Sequence, residues 1–251
     1  VLAMLPRQDL IFMDPARRDH HGGRVFQLQD CQPDVLSLRE KLLEKARVIL
    51  LKLSPMLDWH AAVHQLDCVR EVHIVATGNE CKELLLVCSS EQIGDGNVCC
   101  VNNGQRFCFP METTPNTGLK TSQEIHIEDF LYEPNAAVMK GGCFGMLCEK
   151  YKVVALGHDS HLFTSPIMID DFPGRRFRIK AVSSFNKKEL NRNLSNIKQA
   201  NIAVRHFPLS ANELRKRLKL RDGGDTYLFA TTFQPSSTSR QERILMITEK
   251  A

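Results

Sequence analysis

The sequence predicts an α/β fold in which a parallel sheet of buried strands is followed by two smaller α+β modules. Three observations carry this reading. Two aliphatic runs, Leu10-Ile11-Phe12-Met13 and Val48-Ile49-Leu50-Leu51-Lys52-Leu53, each end at a Pro signal and read as fully buried strands. A helical pattern separates them, and strand–helix–strand alternation is the signature of right-handed βαβ units. From residue 173 onward, strand-like alternation and helical spacing exchange at short intervals, as in a small α+β module.

Taken in order, the first strand runs into Asp14-Pro15-Ala16-Arg17-Arg18. A residue before proline is pushed to extended geometry, which holds Asp14 at the strand tip. Ligands of open α/β sheets sit just beyond such tips, although an ordinary turn with a surface arginine pair has the same composition. Pro33-Asp34-Val35-Leu36 opens a helix, with Asp34 as N-cap and Leu36, Leu38, Leu42 and Leu43 on its apolar side. The second strand stops at Ser54-Pro55, and an apolar stretch at 59–66 leads to a third strand at 72–76. After Gly78-Asn79 comes a neighbour at 83–88, for which antiparallel pairing is open. A β-hairpin is expected from 97–101 and 106–109 around Asn102-Asn103-Gly104-Gln105, and 110–122 reads as a linker.

The sheet-forming part is therefore assigned to 1–110. A second module, 124–172, starts extended at 124–130 and continues as a helix through 135–149, with Pro134 at the helix start. The third module, 173–251, is read as a strand at 176–184, a helix at 187–199 and a strand at 200–207. A helix at 211–220 follows, opened by a capping box of Ser210 and Glu213, and then strands at 226–233 and 243–248.

Five segments come in a telling order: Phe12-Met13-Asp14-Pro15-Ala16-Arg17-Arg18-Asp19, Lys52-Leu53-Ser54-Pro55-Met56-Leu57-Asp58, Asn79-Glu80-Cys81-Lys82-Glu83-Leu84-Leu85, Leu131-Tyr132-Glu133-Pro134-Asn135-Ala136-Ala137 and Phe172-Pro173-Gly174-Arg175. Together they resemble the class I S-adenosylmethionine-dependent methyltransferases that carry C-terminal ferredoxin-like and THUMP-like modules. The resemblance covers nearly the whole chain. It implies that 1–110 is the C-terminal half of a Rossmann-like methyltransferase sheet, that 124–172 is ferredoxin-like and that 173–251 is THUMP-like. It places Asp14, Pro15, Ala16 and Arg17 at the catalytic motif between methyl donor and acceptor base, with Asp14 and Ser54 beside the cofactor. Asp58 and Asn79 would be further pocket walls.

The chain departs from a complete enzyme in one respect. No strand opens through a Gly-rich turn into a helix, and no acidic ribose ligand follows. The expected reading is the C-terminal part of a longer protein, whose missing N-terminal portion completes an otherwise exposed sheet edge. A P-loop or dinucleotide enzyme has no supporting phosphate motif. No apolar run reaches the roughly 18 residues of a membrane helix, so no membrane partner is expected. The nine cysteines are scattered, without a C-x-x-C pair, and read as reduced, mostly buried thiols of a cytoplasmic protein. Cys143, Cys148, His158 and His161 fit no common zinc spacing, so no metal is expected.

Charge is concentrated in the third module. Residues 174–221 hold fourteen Lys and Arg against Glu189 and Glu213, a net charge of +12, whereas the rest of the chain carries −8. Such a basic face is the footprint of phosphate-backbone binding. The RNA-binding candidates are Arg175, Arg176, Arg178, Lys187, Lys188, Arg205, Arg215, Lys216, Arg217, Lys219 and Arg221, together with Arg18 at the sheet edge. Few aromatics interleave with these charges, which favours folded RNA recognised by shape and phosphate. The resemblance points to tRNA. The expected function is thus S-adenosylmethionine-dependent methylation of structured RNA, preferably at a base nitrogen, because no cysteine nucleophile stands in 52–58. The alternative is a noncatalytic RNA-binding protein on a degenerate methyltransferase scaffold.

Overall fold

Asp34 starts the first long helix as expected: its carboxylate accepts from the N–H groups of Leu36 at 3.0 Å and Ser37 at 3.3 Å. In this computed structural model, residues 2–4, 6–16, 28–113, 117–235 and 240–251 are described. Contacts divide the chain into two units, one of residues 1–113 with 136–141 and one of 114–135 with 142–251.

The first unit is built from β1 (Gln8–Met13), α1 (Val35–Lys45), β2 (Ala46–Leu53), α2 (Trp59–Leu66), β3 (Val69–Thr77), β4 (Glu80–Cys88), β5 (Asn97–Asn102) and β6 (Gln105–Pro110), with α3 (Ala136–Gly141). The sheet order is β1-β2-β4-β3-β5-β6. β1 and β2 are parallel across the α1 crossover, and β3 and β5 are parallel, while β4 and β6 run antiparallel to their neighbours. The sheet is thus mixed rather than parallel throughout. The cause is local: Gly78 and Asn79 both take positive φ, at 59° and 63°, which makes a tight hairpin of β3 and β4. β5 and β6 form the expected hairpin.

The aliphatic runs read as strands buried on both faces are buried on one. Ile49, Leu51, Leu53, Ile74, Leu84 and Leu86 are at most 3% exposed, whereas Leu50, Leu85 and Val87 behind them are half-buried. On β1, Leu10 and Phe12 are 54% and 56% exposed. They stand opposite Val48 and Leu50, on the face away from Ile49 and Leu51. β1 is the sheet's edge, and nothing among the described residues covers that face of it. A second correction concerns the thiols: Cys99 and Cys108 are direct cross-strand partners on β5 and β6, with Cα atoms 4.2 Å apart, and form a disulfide. The other seven cysteines form no disulfide, and all but Cys81 are buried.

The second unit contains β7 (Phe130–Pro134), α4 (Phe144–Tyr151), β8 (Val154–Ala155), β9 (Phe163–Ser165), β10 (Gly174–Ser184), α5 (Lys187–Leu194), β11 (Asn201–Arg205), α6 (Ala211–Leu218), β12 (Thr226–Phe233) and β13 (Glu242–Lys250). The strands form one sheet, ordered β11-β12-β13-β10-β7-β9-β8, in which β11 and β12 are parallel and the other neighbours antiparallel. Strand alternation feeds two cores. Phe229 and Met246 pack with Leu131 and Phe177 on one face, and Leu228, Ala230, Leu245 and Ile247 pack with Leu190 and Leu214 on the other. Three expected elements differ. The helix at 135–149 is two helices, because Gly142 takes φ 74° between them. The stretch 124–129 is not a strand, although Glu128 N donates to Ile179 O of β10 and Asp129 O accepts from Ile179 N, and α5 stops at Leu194 rather than at residue 199.

Candidate functional site

At the carboxyl end of β1 the Asp14 side chain is half exposed. Lys52, one residue beyond the Met13–Leu51 pairing of β1 and β2, donates to Asp14 Oδ2 at 2.6 Å and lies 3.8 Å from Glu83 Oε1 on β4. Three adjacent strands therefore contribute a carboxylate–ammonium–carboxylate row. Pro15 is buried. Ala16 exchanges two backbone hydrogen bonds with Gln32, at 2.7 and 2.9 Å, so the backbone after Asp14 is pinned. Arg17 and Arg18 lie outside the described residues. Sequence reasoning passed over Lys52 as a site residue; its signal was the lone charge inside an aliphatic run.

Other candidates at this sheet edge hold the fold. Ser54 is buried, and its hydroxyl oxygen accepts from Met56 N at 3.1 Å. Asp58 caps α2; burial pushes its carboxyl up, but the N–H groups of His60 and Ala61 and the His60 ring outweigh that and leave it below the ordinary value. Asn79 Oδ1 accepts from Ala136 N at 2.8 Å, which satisfies an orphan N–H at the start of α3. Lys140 of α3 donates to Leu57 O at 2.8 Å, and burial pulls its ammonium below the usual lysine range. Among the described residues, no three of His, Cys, Asp and Glu converge as metal ligands, and no helix is long and apolar enough to cross a membrane.

In the second unit the structure divides the basic residues into two sets. Glu133 on β7 is 2% exposed and accepts from Arg175 Nε on β10 at 2.7 Å and Arg205 Nη2 on β11 at 2.6 Å. Arg176 donates to Asp170 at the backbone (2.6 Å) and the carboxylate (3.1 Å). Arg178 and Lys180 each reach Glu128 at 3.1 Å and hold its carboxyl below the ordinary range. Arg215 is paired with Asp222. These are cations the fold already uses.

The second set makes no ion pair among the described residues: Lys187, Lys188, Lys198, Lys216, Arg217, Lys219 and Arg221, of which Lys216 lies near enough to Glu213 to help the Ser210 bonds hold its carboxyl below the ordinary range. The two acids of the segment are committed elsewhere. Glu189 accepts from Ser184 N and Oγ at 3.0 and 2.8 Å, and Glu213 completes the α6 capping box with Ser210. Lys216, Arg217 and Lys219 suit the negative C-terminal end of α6. Lys187 and Lys188 do not suit their place: they occupy the first turn of α5, where the helix dipole disfavours positive charge by about 0.3–1 kcal/mol each.

Comparison with known proteins gives these modules a context. Residues 174–250 match the THUMP domain-like family model and residues 130–173 match a ferredoxin-like domain. The chain thus carries ferredoxin-like and THUMP-like domains. Its structure is similar, with a TM-score of 0.84 and 33% sequence identity, to a crystal structure described as a "putative methyltransferase" from Porphyromonas gingivalis W83. The match covers 97% of this chain and 60% of that one, so the chain spans less than two thirds of its relative's length. No curated protein matches the chain at a significant level.

Proposed function

We propose that this chain is the acceptor-side and RNA-binding part of a longer S-adenosylmethionine-dependent methyltransferase that modifies structured RNA. The substrate class is tRNA and the acceptor a base nitrogen. The observation that carries this reading is the likeness to the Porphyromonas gingivalis protein over 97% of the chain, joined to the THUMP-like domain at 174–250. Two structural features support it. The first unit leaves Leu10 and Phe12 uncovered on an edge strand, as half of a sheet would if further chain completed it. Asp14 stands at the carboxyl end of a strand that runs parallel to its neighbour, where open α/β sheets take ligands.

The residues present do not fit the whole methyl donor. Ser54 is closed within its own turn, the Asp14 carboxylate is engaged by Lys52, and no Gly-rich turn leads from a described strand into a helix. The residues that hold S-adenosylmethionine belong, on this reading, to the rest of the longer protein. The part left to this chain is orientation. Asp14 and the carbonyls of Asp14 and Pro15 accept hydrogen bonds from the acceptor base, and Lys52 aims the carboxylate. The buried proline and the Ala16–Gln32 pairing hold that geometry, so the base need not be ordered again at each turnover.

The test is titration of S-adenosylmethionine into the longer protein, followed by transfer of labelled methyl to total tRNA. Asp14→Ala should still bind cofactor and lose about 100-fold in transfer, the scale of effect expected when an acceptor is misplaced. Wild-type transfer by that variant would overturn the catalytic assignment. A longer protein that binds RNA but no cofactor would favour a noncatalytic RNA-binding scaffold instead.

A further inference from the structure

The cations without acidic partners surround a cavity. It measures about 930 Å³ and lies between α5 and the C-terminal end of α6, at the upper end of the roughly 300–1,000 Å³ typical of ligand sites. Its floor is apolar, formed by Phe185, Leu194, Ile197 and Leu218 over the buried Leu190 and Leu220. Lys187, Lys198, Arg217, Lys219 and Arg221 stand around it, all exposed, and no carboxylate lines it. Asn191 adds an exposed amide able to donate and accept.

An apolar floor inside a ring of cations selects a ligand that is apolar at its centre and anionic at its edges. A base-paired duplex meets only half of that description, because it offers phosphates and keeps its bases stacked inside. A nucleotide with an unpaired base meets both halves. Such a base needs an aromatic ring to stack on, and Phe185, partly buried with its ring 4.7 Å from the Phe207 ring, lines the cleft. An acidic peptide would satisfy the cations without needing a flat ring. We propose that this cleft seats an unpaired nucleotide of the bound RNA, its base against Phe185 and its flanking phosphates on the five cations. The inference rests on the RNA reading given above and adds a preference within it: single-stranded over duplex RNA.

The experiment is fluorescence anisotropy of the 251-residue chain with three probes: a blunt RNA duplex, the same duplex with a four-nucleotide single-stranded tail, and a peptide of alternating Glu and Leu. The tailed RNA should bind about tenfold more tightly than the blunt one, within the range of a single stacked base. Phe185→Ala should erase that advantage. Because Phe185 also packs on Phe207, Asn191→Glu serves as a second variant: from an exposed helix position it sets a carboxylate among the cations that would hold the tail's phosphates, and it should erase the advantage as well. Equal binding of both RNAs, or a tail advantage that survives Asn191→Glu, would overturn the cleft assignment and leave RNA binding itself standing. Failure to bind either RNA would overturn both. Tighter binding of the peptide than of the tailed RNA would overturn the cleft in favour of a protein partner.

Discussion

Glu133 shows how one residue can decide what a cluster of charges means. Counted along the sequence, Arg175 and Arg205 belong to a basic patch. In the structure they converge from β10 and β11 on a single buried carboxylate, 42 and 72 residues away in sequence. Removing one member of a buried ion pair leaves an uncompensated charge and costs roughly 3–5 kcal/mol. Here both guanidiniums reach solvent, at 47% and 36% exposure, so Glu133→Gln should cost less, about 2–3 kcal/mol. Urea unfolding checks this, and a midpoint unchanged from wild type would show that the two arginines do not depend on Glu133. The division into paired and free cations was not legible in the sequence, because nothing local to Arg175 or Arg205 marks the distant glutamate. Lys52 is the opposite case. A single charge within an aliphatic run is visible in the sequence, and its partner Asp14 stands at a strand tip that the following proline marks.

Among the elements, α6 was the most legible. Ser210 and Glu213 announce its start three residues apart, and both halves of the capping box form. Ser210→Ala should therefore destabilise the second unit by about 1 kcal/mol, and Ser210→Asp should restore most of it. Equal stability of wild type and Ser210→Ala in thermal unfolding would contradict the cap's role. The hairpin around Asn103-Gly104 was legible for a related reason, since Asn103, at φ 51°, is a residue that tolerates positive φ; at Gly78-Asn79 the same kind of residues marked a turn and left the pairing of the next strand open. The helix across 135–149 misled. Its apolar spacing is continuous, and only the conformation of Gly142 shows that the chain breaks there. Its first half then packs with Cys100 and Phe109 at Gly141, where an added Cβ would lie 2.6 Å from the Cys100 sulfur.

For the molecule as a whole, fold class was readable while cover was not. Leu10 and Phe12 look like core in the sequence and are more than half exposed in the structure. Burial on both faces of a strand depends on what lies against each face, and no pattern inside the strand reports that. The uncovered face and the 60% coverage of the Porphyromonas gingivalis protein fit the same account of a chain that works as part of something longer. Residues 174–250 carry the THUMP-like domain, with cations that make no ion pair among the described residues, and RNA binding is the property proposed for it. The most direct test is the affinity of the 251-residue chain for tRNA across a salt series. Five cations on phosphates predict a log–log slope near −4, from about 0.7–0.9 per phosphate. Changing Lys198 and Arg217 together to Gln should make the slope shallower by about two. An affinity that is absent, or that does not change with salt, would contradict the account.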